Sequence, residues 1–267
     1  MPNKSGLPPI SRRFLLSLAG ILLPTAALGA WLCGNRHLAR LAFITSNALL
    51  LYPTLKRNSS AFGPVFTQFD TSSKEVWLTI DDGPDPVDTP AILSLLKSYN
   101  AKASFFCIGK KATQHRGLCR KIVREGHTLE NHSQDHPVAS FWSLPPSLMQ
   151  RQIEDGSHAI LTATGIAPRF FRSPVGMTNP FVHPALEKNQ LKLVGWSCAG
   201  FDGVNRSTED VLKCLLPKVR PGAIILLHEG TQLQTPSNRV HTLQLLLQYL
   251  QLRGYTCIIP AMDSLKA

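Results

Sequence analysis

The sequence predicts an α/β protein: a distorted parallel (β/α) barrel of about seven strands, preceded by an N-terminal membrane-anchor helix. Three observations carry that expectation. From residue 75 onward, short apolar runs alternate with longer segments of helical period, the pattern of successive βα units around a parallel sheet. No Asp or Glu occurs before Asp70, whereas residues 1–69 hold seven Lys or Arg beside two apolar runs. Asp, His and Arg cluster where the expected strands end, and barrel folds gather their chemistry at that face.

The N-terminal elements come first. Residues 14–33, FLLSLAGILLPTAALGAWLC, are uncharged over 20 positions, about what a helix needs to cross a bilayer. Lys4, Arg12 and Arg13 precede them. By the positive-inside tendency the N-terminus then stays cytoplasmic, and the chain beyond a single span lies outside. Ala27 and Gly29 offer a cleavage site, but the run is long for a removable signal and continues past them, so an uncleaved anchor is expected. The run at 41–52, LAFITSNALLLY, has only 12 residues and contains Thr45, Ser46 and Asn47, which reads as an interfacial helix. If it crossed, the main domain would return to the cytoplasm, consistent with Lys56 and Arg57. The chain thus divides into a membrane anchor with an interfacial segment (1–60), a linker (61–74) whose PVFTQF stretch can pack beneath a barrel as a short strand, and a main domain (75–267).

Within the main domain, strands are expected at 76–80, 103–108, 127–130, 169–172, 191–197, 222–228 and 255–259. Helices are expected at about 89–100, 110–125, 146–164, 180–189, 208–219 and 240–253. With 43% apolar residues a sizeable core forms, which excludes disorder throughout. The net charge is +11, but residues 70–267 carry only +4 of it, so the excess sits beside the apolar N-terminus. A membrane surface is the simpler partner there than nucleic acid. The six cysteines show no CxxC spacing, and Cys107 and Cys198 in apolar runs read as buried packing residues.

The residues that carry chemistry stand at strand ends. DDGPDP at 81–86 ends the first strand, and neighbouring carboxylates on a strand point different ways, so one can bind a metal while the other handles a proton. An Asp-Gly-Pro turn capping the next helix explains the same residues without chemistry. HSQDH at 132–136 comes after the third strand; His132 and His136, four apart, would share one side of a helical turn and could grip one ion, although nine histidines sometimes fall four apart by chance. RSPVG at 172–176, Asp202, and LLHEG at 226–230 come at later strand ends. Each alone reads as a surface Arg, a loop Asp or a strand-capping His. Their shared placement on one face is what points to a site.

These motifs, TIDDGP at 79–84, HSQDH, RSPVG and LLHEG, occur in an order that resembles the polysaccharide deacetylases with a NodB-like domain, carbohydrate esterase family four. The resemblance spans about residues 75–260. It implies that Asp82, His132 and His136 hold one divalent metal ion, usually zinc; that Asp81 is the general base and His228 the general acid; that Arg172 steadies Asp81; and that Asp202 orients either Arg172 or His228. A backbone N–H near Val175 would stabilise an oxyanion. Ile80 stands where the family commonly has Phe. Val175 and Gly203 stand where it often has aromatic residues, which changes the groove wall more than the metal. Phe141 and Trp142 are candidate replacements, and buried core aromatics fit them equally.

An amide carbonyl resists water unless it is polarised and the water deprotonated, and a metal with three protein ligands and an open position does both. The implied function is metal-dependent removal of N-acetyl groups from an amino-sugar polymer or glycolipid by a membrane-anchored, extracytoplasmic domain. An O-acetyl ester or cyclic-amide hydrolase on the same fold is the alternative, as is a non-catalytic sugar-binding protein, against which the retention of both carboxylates and His228 argues.

Overall fold

The computed structural model describes residues 12–231 and 235–267, with side chains from Leu22 onward except Leu50. Lys4 lies outside the described residues, as do the side chains of Arg12 and Arg13. Two antiparallel helices, α1 (Arg12–Leu32) and α2 (Arg36–Leu55), open the chain and pack along one another across a turn of three residues. Here the structure departs from the expected 12-residue interfacial helix. The apolar period continues on both sides of 41–52, giving α2 20 residues, and among the described residues it is the one helix long and apolar enough to cross a membrane. Leu22–Leu32 of α1 is apolar too.

The remaining elements alternate as the sequence predicts. They are β1 (Gln68–Phe69), β2 (Glu75–Gly83), α3 (Asp88–Ser98), β3 (Ala103–Cys107), α4 (Gly109–Gln114), α5 (Arg116–Arg124) and β4 (Thr128–Asn131). After them come α6 (Pro146–Thr164), β5 (Phe170–Phe171), α7 (Val182–Lys188), β6 (Lys192–Leu193), β7 (Cys198–Ala199), α8 (Thr208–Leu215), β8 (Ala223–His228), α9 (Pro236–Leu252), β9 (Thr256–Cys257) and β10 (Leu265–Lys266). The helix expected over 110–125 breaks at His115, whose φ of −119° and ψ of 45° leave the helical region. Helix α9 starts four residues earlier than its apolar period suggests, because Thr235 accepts from Asn238 N and Pro236 stands at the first turn.

Seven parallel strands run in the order β6-β5-β4-β3-β2-β8-β7, and only residues 194–197 separate β6 from β7, so the chain itself brings the two edges together. Residues 66–69 complete the floor: Phe66 bridges to Val194, while Gln68 pairs with Ala223 and with Lys266. The expected strand under the barrel is therefore present, in the stretch read as linker. Alternation along β2 sets the layers. Val76, Leu78 and Ile80 pack with Ile92, Leu93 and Leu96 of α3, whereas Trp77 joins Phe106, Phe170 and Ile224 in a separate cluster inside the barrel. Trp77 Nε1 donates to Ser104 Oγ at 2.8 Å, which satisfies the indole in that apolar interior. Asp81 and His228, each four residues further along its strand from Trp77 and Ile224, are paired in register across β2 and β8.

Candidate functional site

Asp81 and Asp82 close β2, and they do not point apart as simple alternation predicts. The pairing of β2 with β3 shifts register between Asp81 and Gly83, and Asp82 adopts φ 72°. Both carboxylates therefore face one pocket: Asp81 Oδ2 lies 3.7 Å and Asp82 Oδ1 3.5 Å from His132 Nε2. A non-glycine residue in the left-handed region is strained, and here the strain turns a second carboxylate inward. Gly83 is required by close packing, since a Cβ there would stand 1.7 Å from Glu229 Oε1, so the DDG and HEG motifs meet.

His132 and His136 sit on a loop after β4 rather than on a helical turn, with Ser133 at φ 66° and His136 at φ 52°. Ser133 N donates to Asn131 Oδ1 and His136 N to Ser133 Oγ, and these bonds fold the loop so that the two rings lie 4.6 Å apart. His132 Nδ1 is 2.8 Å from Arg172 O, an acceptor, so Nδ1 carries the proton and Nε2 presents its lone pair to the pocket. His136 Nε2 lies 3.3 Å from Asp82 Oδ1.

One donor atom from each of Asp82, His132 and His136 lies within 4.8 Å of the others, and Asp82 Oδ1 is buried without a hydrogen-bond partner. Burial alone would raise the Asp82 carboxyl; the closeness of His132, His228 and His136 outweighs it and holds it well below its ordinary range. Burial, helped by His132, pushes His136 down to about 4, so its imidazole is neutral near pH 7. An ionised carboxylate and two imidazoles, His136 neutral and His132 turned with Nε2 toward the pocket, fit a divalent cation around one point.

Arg172 comes directly after β5 and is fully buried. Its Nη1 donates to Asp81 Oδ1 at 2.7 Å and Thr79 Oγ1 at 2.8 Å, its Nη2 to Gly195 O at 2.9 Å, and its guanidinium lies 4.1 Å from the Phe106 ring centroid. Asp202 contacts His228 rather than Arg172: His228 Nδ1 is 2.9 Å from Asp202 Oδ1, and His228 N donates to Asp202 Oδ2 at 2.8 Å. Burial opposes protonation of His228, but the charge and hydrogen bond of Asp202 win and raise it to about 9. Val175 is on the pocket wall at φ 51°, in a tight turn closed by Gly176 N to Ser173 O and Met177 N to Pro174 O.

All eight expected residues come together: six line a cavity of about 330 Å³, Arg172 stands behind Asp81 and Asp202 stands behind His228. Phe141 and Trp142 do not line it. Phe141 is buried in a cluster with Phe171 and Val182, and Trp142 donates to Ala139 O. Trp196 and Phe201 supply the aromatic wall instead, and Gly203 backs onto His228, where a Cβ would lie 3.3 Å from the ring. The sequence reading also missed Arg57, which lines the pocket from outside the main domain, and Lys111, whose Nζ donates to Asp82 O at 2.7 Å. The six cysteines are free, with Cys107 and Cys198 buried as expected.

The polysaccharide deacetylase family profile matches residues 68–194. The chain is 33% identical over 195 residues to a chitooligosaccharide deacetylase of Bradyrhizobium sp., covering 69% of this chain and 88% of that one. It is 30% identical over 203 residues to a peptidoglycan-N-acetylglucosamine deacetylase of Bacillus cereus, covering 75% and 93%. In three dimensions it is similar to a family 4 carbohydrate esterase from Streptomyces lividans solved in complex with acetate, with a TM-score of 0.64 and 29% identity over 73% of this chain and 97% of that one. Four motifs in order, the pocket they build, and relatives matched over most of their length lead to one conclusion: this chain belongs to the polysaccharide deacetylase family.

Proposed function

We propose that the chain is a metal-dependent hydrolase that removes N-acetyl groups from an amino-sugar glycan or glycoconjugate. The observation that carries the reading is the pairing of Asp81 and His228 across β2 and β8, each clamped by a buried partner of opposite charge, beside three donor atoms suited to one cation. Asp82, His132 and His136 would hold the ion, and their nitrogen and oxygen donors favour zinc. When bound, the ion polarises the acetamide carbonyl and makes water at the site more acidic.

The protein's own residues do the rest. Arg172 occupies Asp81 Oδ1, leaving Oδ2 facing the pocket to take the proton of the attacking water. The backbone N–H of Val175 is assigned to the oxyanion that forms at the acetyl carbon. Asp202 fixes the proton on His228 Nδ1, and the imidazolium gives the proton on Nε2 to the departing amine as the carbon–nitrogen bond breaks. One water is consumed, and acetate and a free amino sugar leave.

The reading includes attachment to a membrane through α1 and α2. A spanning α1 and an interfacial α2 could not pack along one another, so the antiparallel hairpin supports two crossings and a catalytic domain on the side of the N-terminus. Five Lys or Arg flank that end of the hairpin against Arg36 and Arg40 at the turn, which favours the cytoplasmic side over the outside position expected from a single span. The test of the activity is acetate release by the full chain, loaded with zinc in detergent, from N-acetyl and O-acetyl glycans. Release from N-acetyl substrates is expected; release from O-acetyl esters alone would overturn the amide reading.

A further inference from the structure

The end of α2 is tied to the mouth of the catalytic pocket. Thr178 N donates to Thr54 O at 3.4 Å, Asn58 N to Gly176 O at 3.0 Å, and Asn58 Nδ2 to Trp196 O at 3.0 Å. Gly195 admits this contact, since a Cβ there would stand 2.4 Å from Asn58 Oδ1. Between these anchors Arg57 lines the same cavity as Asp81, His132 and His228. It precedes the segment the family profile matches, so it belongs to this chain's own N-terminal region.

Arg57 is exposed and takes part in none of the ion pairs formed by the described residues. Its guanidinium lies 5.5 Å from the centroid of Phe201, and Arg206 and Lys218 lie 5.4 and 5.7 Å from the same ring. Three cations thus gather around Phe201 on the pocket wall, and Arg57, which alone of them lines the cavity, is placed to recognise a phosphate there. The adjoining wall is apolar: Val138, Val175, Trp196, Val204 and Leu226.

The helix leading to Arg57 exposes Leu41, Phe43, Ile44, Tyr52 and Leu55. Arg36 and Arg40 stand at its start, Lys56 and Arg57 at its end. An apolar helix bracketed by cations matches a bilayer, with its apolar interior and anionic headgroups on both faces. Because the exit of that helix is docked on the pocket rim, the pocket opens at the level of the headgroups whichever side the domain occupies.

Building on the N-deacetylase reading, we propose that the substrate is amphiphilic: an N-acetylated amino sugar joined through phosphate to a membrane lipid. Arg57 holds the phosphate, with Arg206 and Lys218 contributing to the field, while the acetamide reaches Asp81 and His228.

The test compares the full chain, in neutral detergent micelles, on polyprenyl-phosphate-linked N-acetylglucosamine and on tetra-N-acetylchitotetraose. The lipid-linked sugar is expected to show a kcat/KM at least tenfold higher, and Arg57→Ala to cut that ratio by roughly tenfold or more, with Arg57→Lys recovering part of it. A second readout needs no turnover: Asp81→Asn chain should bind phosphatidylcholine vesicles carrying the lipid-linked sugar more tightly than plain vesicles, and Arg57→Ala should remove the difference. Equal kcat/KM on both substrates with no effect of Arg57 would overturn the lipid-phosphate proposal and leave the deacetylase reading standing. Arg57-dependent vesicle binding without acetate release from any substrate would overturn the deacetylase reading and leave the recognition of a lipid-linked phosphate standing.

Discussion

Arg172 Nη1 stands 2.7 Å from Asp81 Oδ1, and both side chains are buried, Asp81 at the pocket floor. Three more of the guanidinium's donors go to Thr79 Oγ1, Val194 O and Gly195 O, so it is locked by the barrel interior and its charge is fixed beside one oxygen of Asp81. Burial tends to lower the Arg172 pKa and the Asp81 charge opposes that. The pair leaves the second carboxylate oxygen as the group that faces the pocket.

Breaking that pair has two separable costs. Arg172→Ala leaves Asp81 buried and unpaired, and should destabilise the chain by about 3–5 kcal/mol. Asp81→Asn keeps the volume and an acceptor for Arg172 Nη1 but leaves the buried guanidinium without a counter-charge, so it too should lose stability, while lowering kcat by roughly a hundredfold or more because the proton acceptor is gone. Denaturant melts and acetate release on the two variants check this; an Asp81→Asn chain with kcat near the parent value would remove Asp81 from the role of base.

The barrel itself was legible because its strands and helices announce themselves by period: β2, β3 and β8 fall within three residues of their expected bounds. The catalytic residues were legible because they stand directly after those strands. What could not be read was backbone conformation. Asp82 at φ 72°, His136 at φ 52° and Val175 at φ 51° are non-glycine residues whose turns are imposed by surrounding packing, and no local propensity signals them. The length of α2 was hidden because Thr45, Ser46 and Asn47 interrupt its apolar run. In the structure Ser46 Oγ and Asn47 Nδ2 bond back to Phe43 O, which satisfies them within the helix. Arg57 was invisible for a different reason: its role depends on where α2 docks, which is a tertiary fact.

Metal content separates the ligands from the proton-transfer groups. His132→Ala with His136→Ala should lose the bound divalent ion and activity together, since two of three donors vanish. His228→Ala should keep the ion and lose roughly a hundredfold or more in kcat. Elemental analysis of the purified variants decides; full zinc content in the double variant would reject the site.

Topology is checked by reporters fused at two places. With both helices crossing, a fusion after residue 34 and a fusion after residue 60 should report opposite sides of the membrane, the second one cytoplasmic. Two fusions that both report the outside would restore the single-span expectation.

The last prediction concerns pH in the metal-free chain. His228 titrates at about 9 when folded, against an ordinary value near 6.5, because Asp202 holds its imidazolium. A raised folded value means the stabilisation is complete below about pH 6.5 and is lost as pH rises toward 9. Other groups slope the same way nearby: burial raises Glu130 to about 7 and Glu229 to about 8, so protons they hold when folded are released over an overlapping range. His136, at about 4, contributes no change across that window. The difference between the parent chain and Asp202→Asn therefore isolates the pair. In chelator, the parent should lose more stability than Asp202→Asn between pH 6.5 and 9. Thermal melts over pH 5 to 9.5 measure it, and parallel curves for the two chains across 6.5–9 would show that Asp202 does not hold the proton on His228.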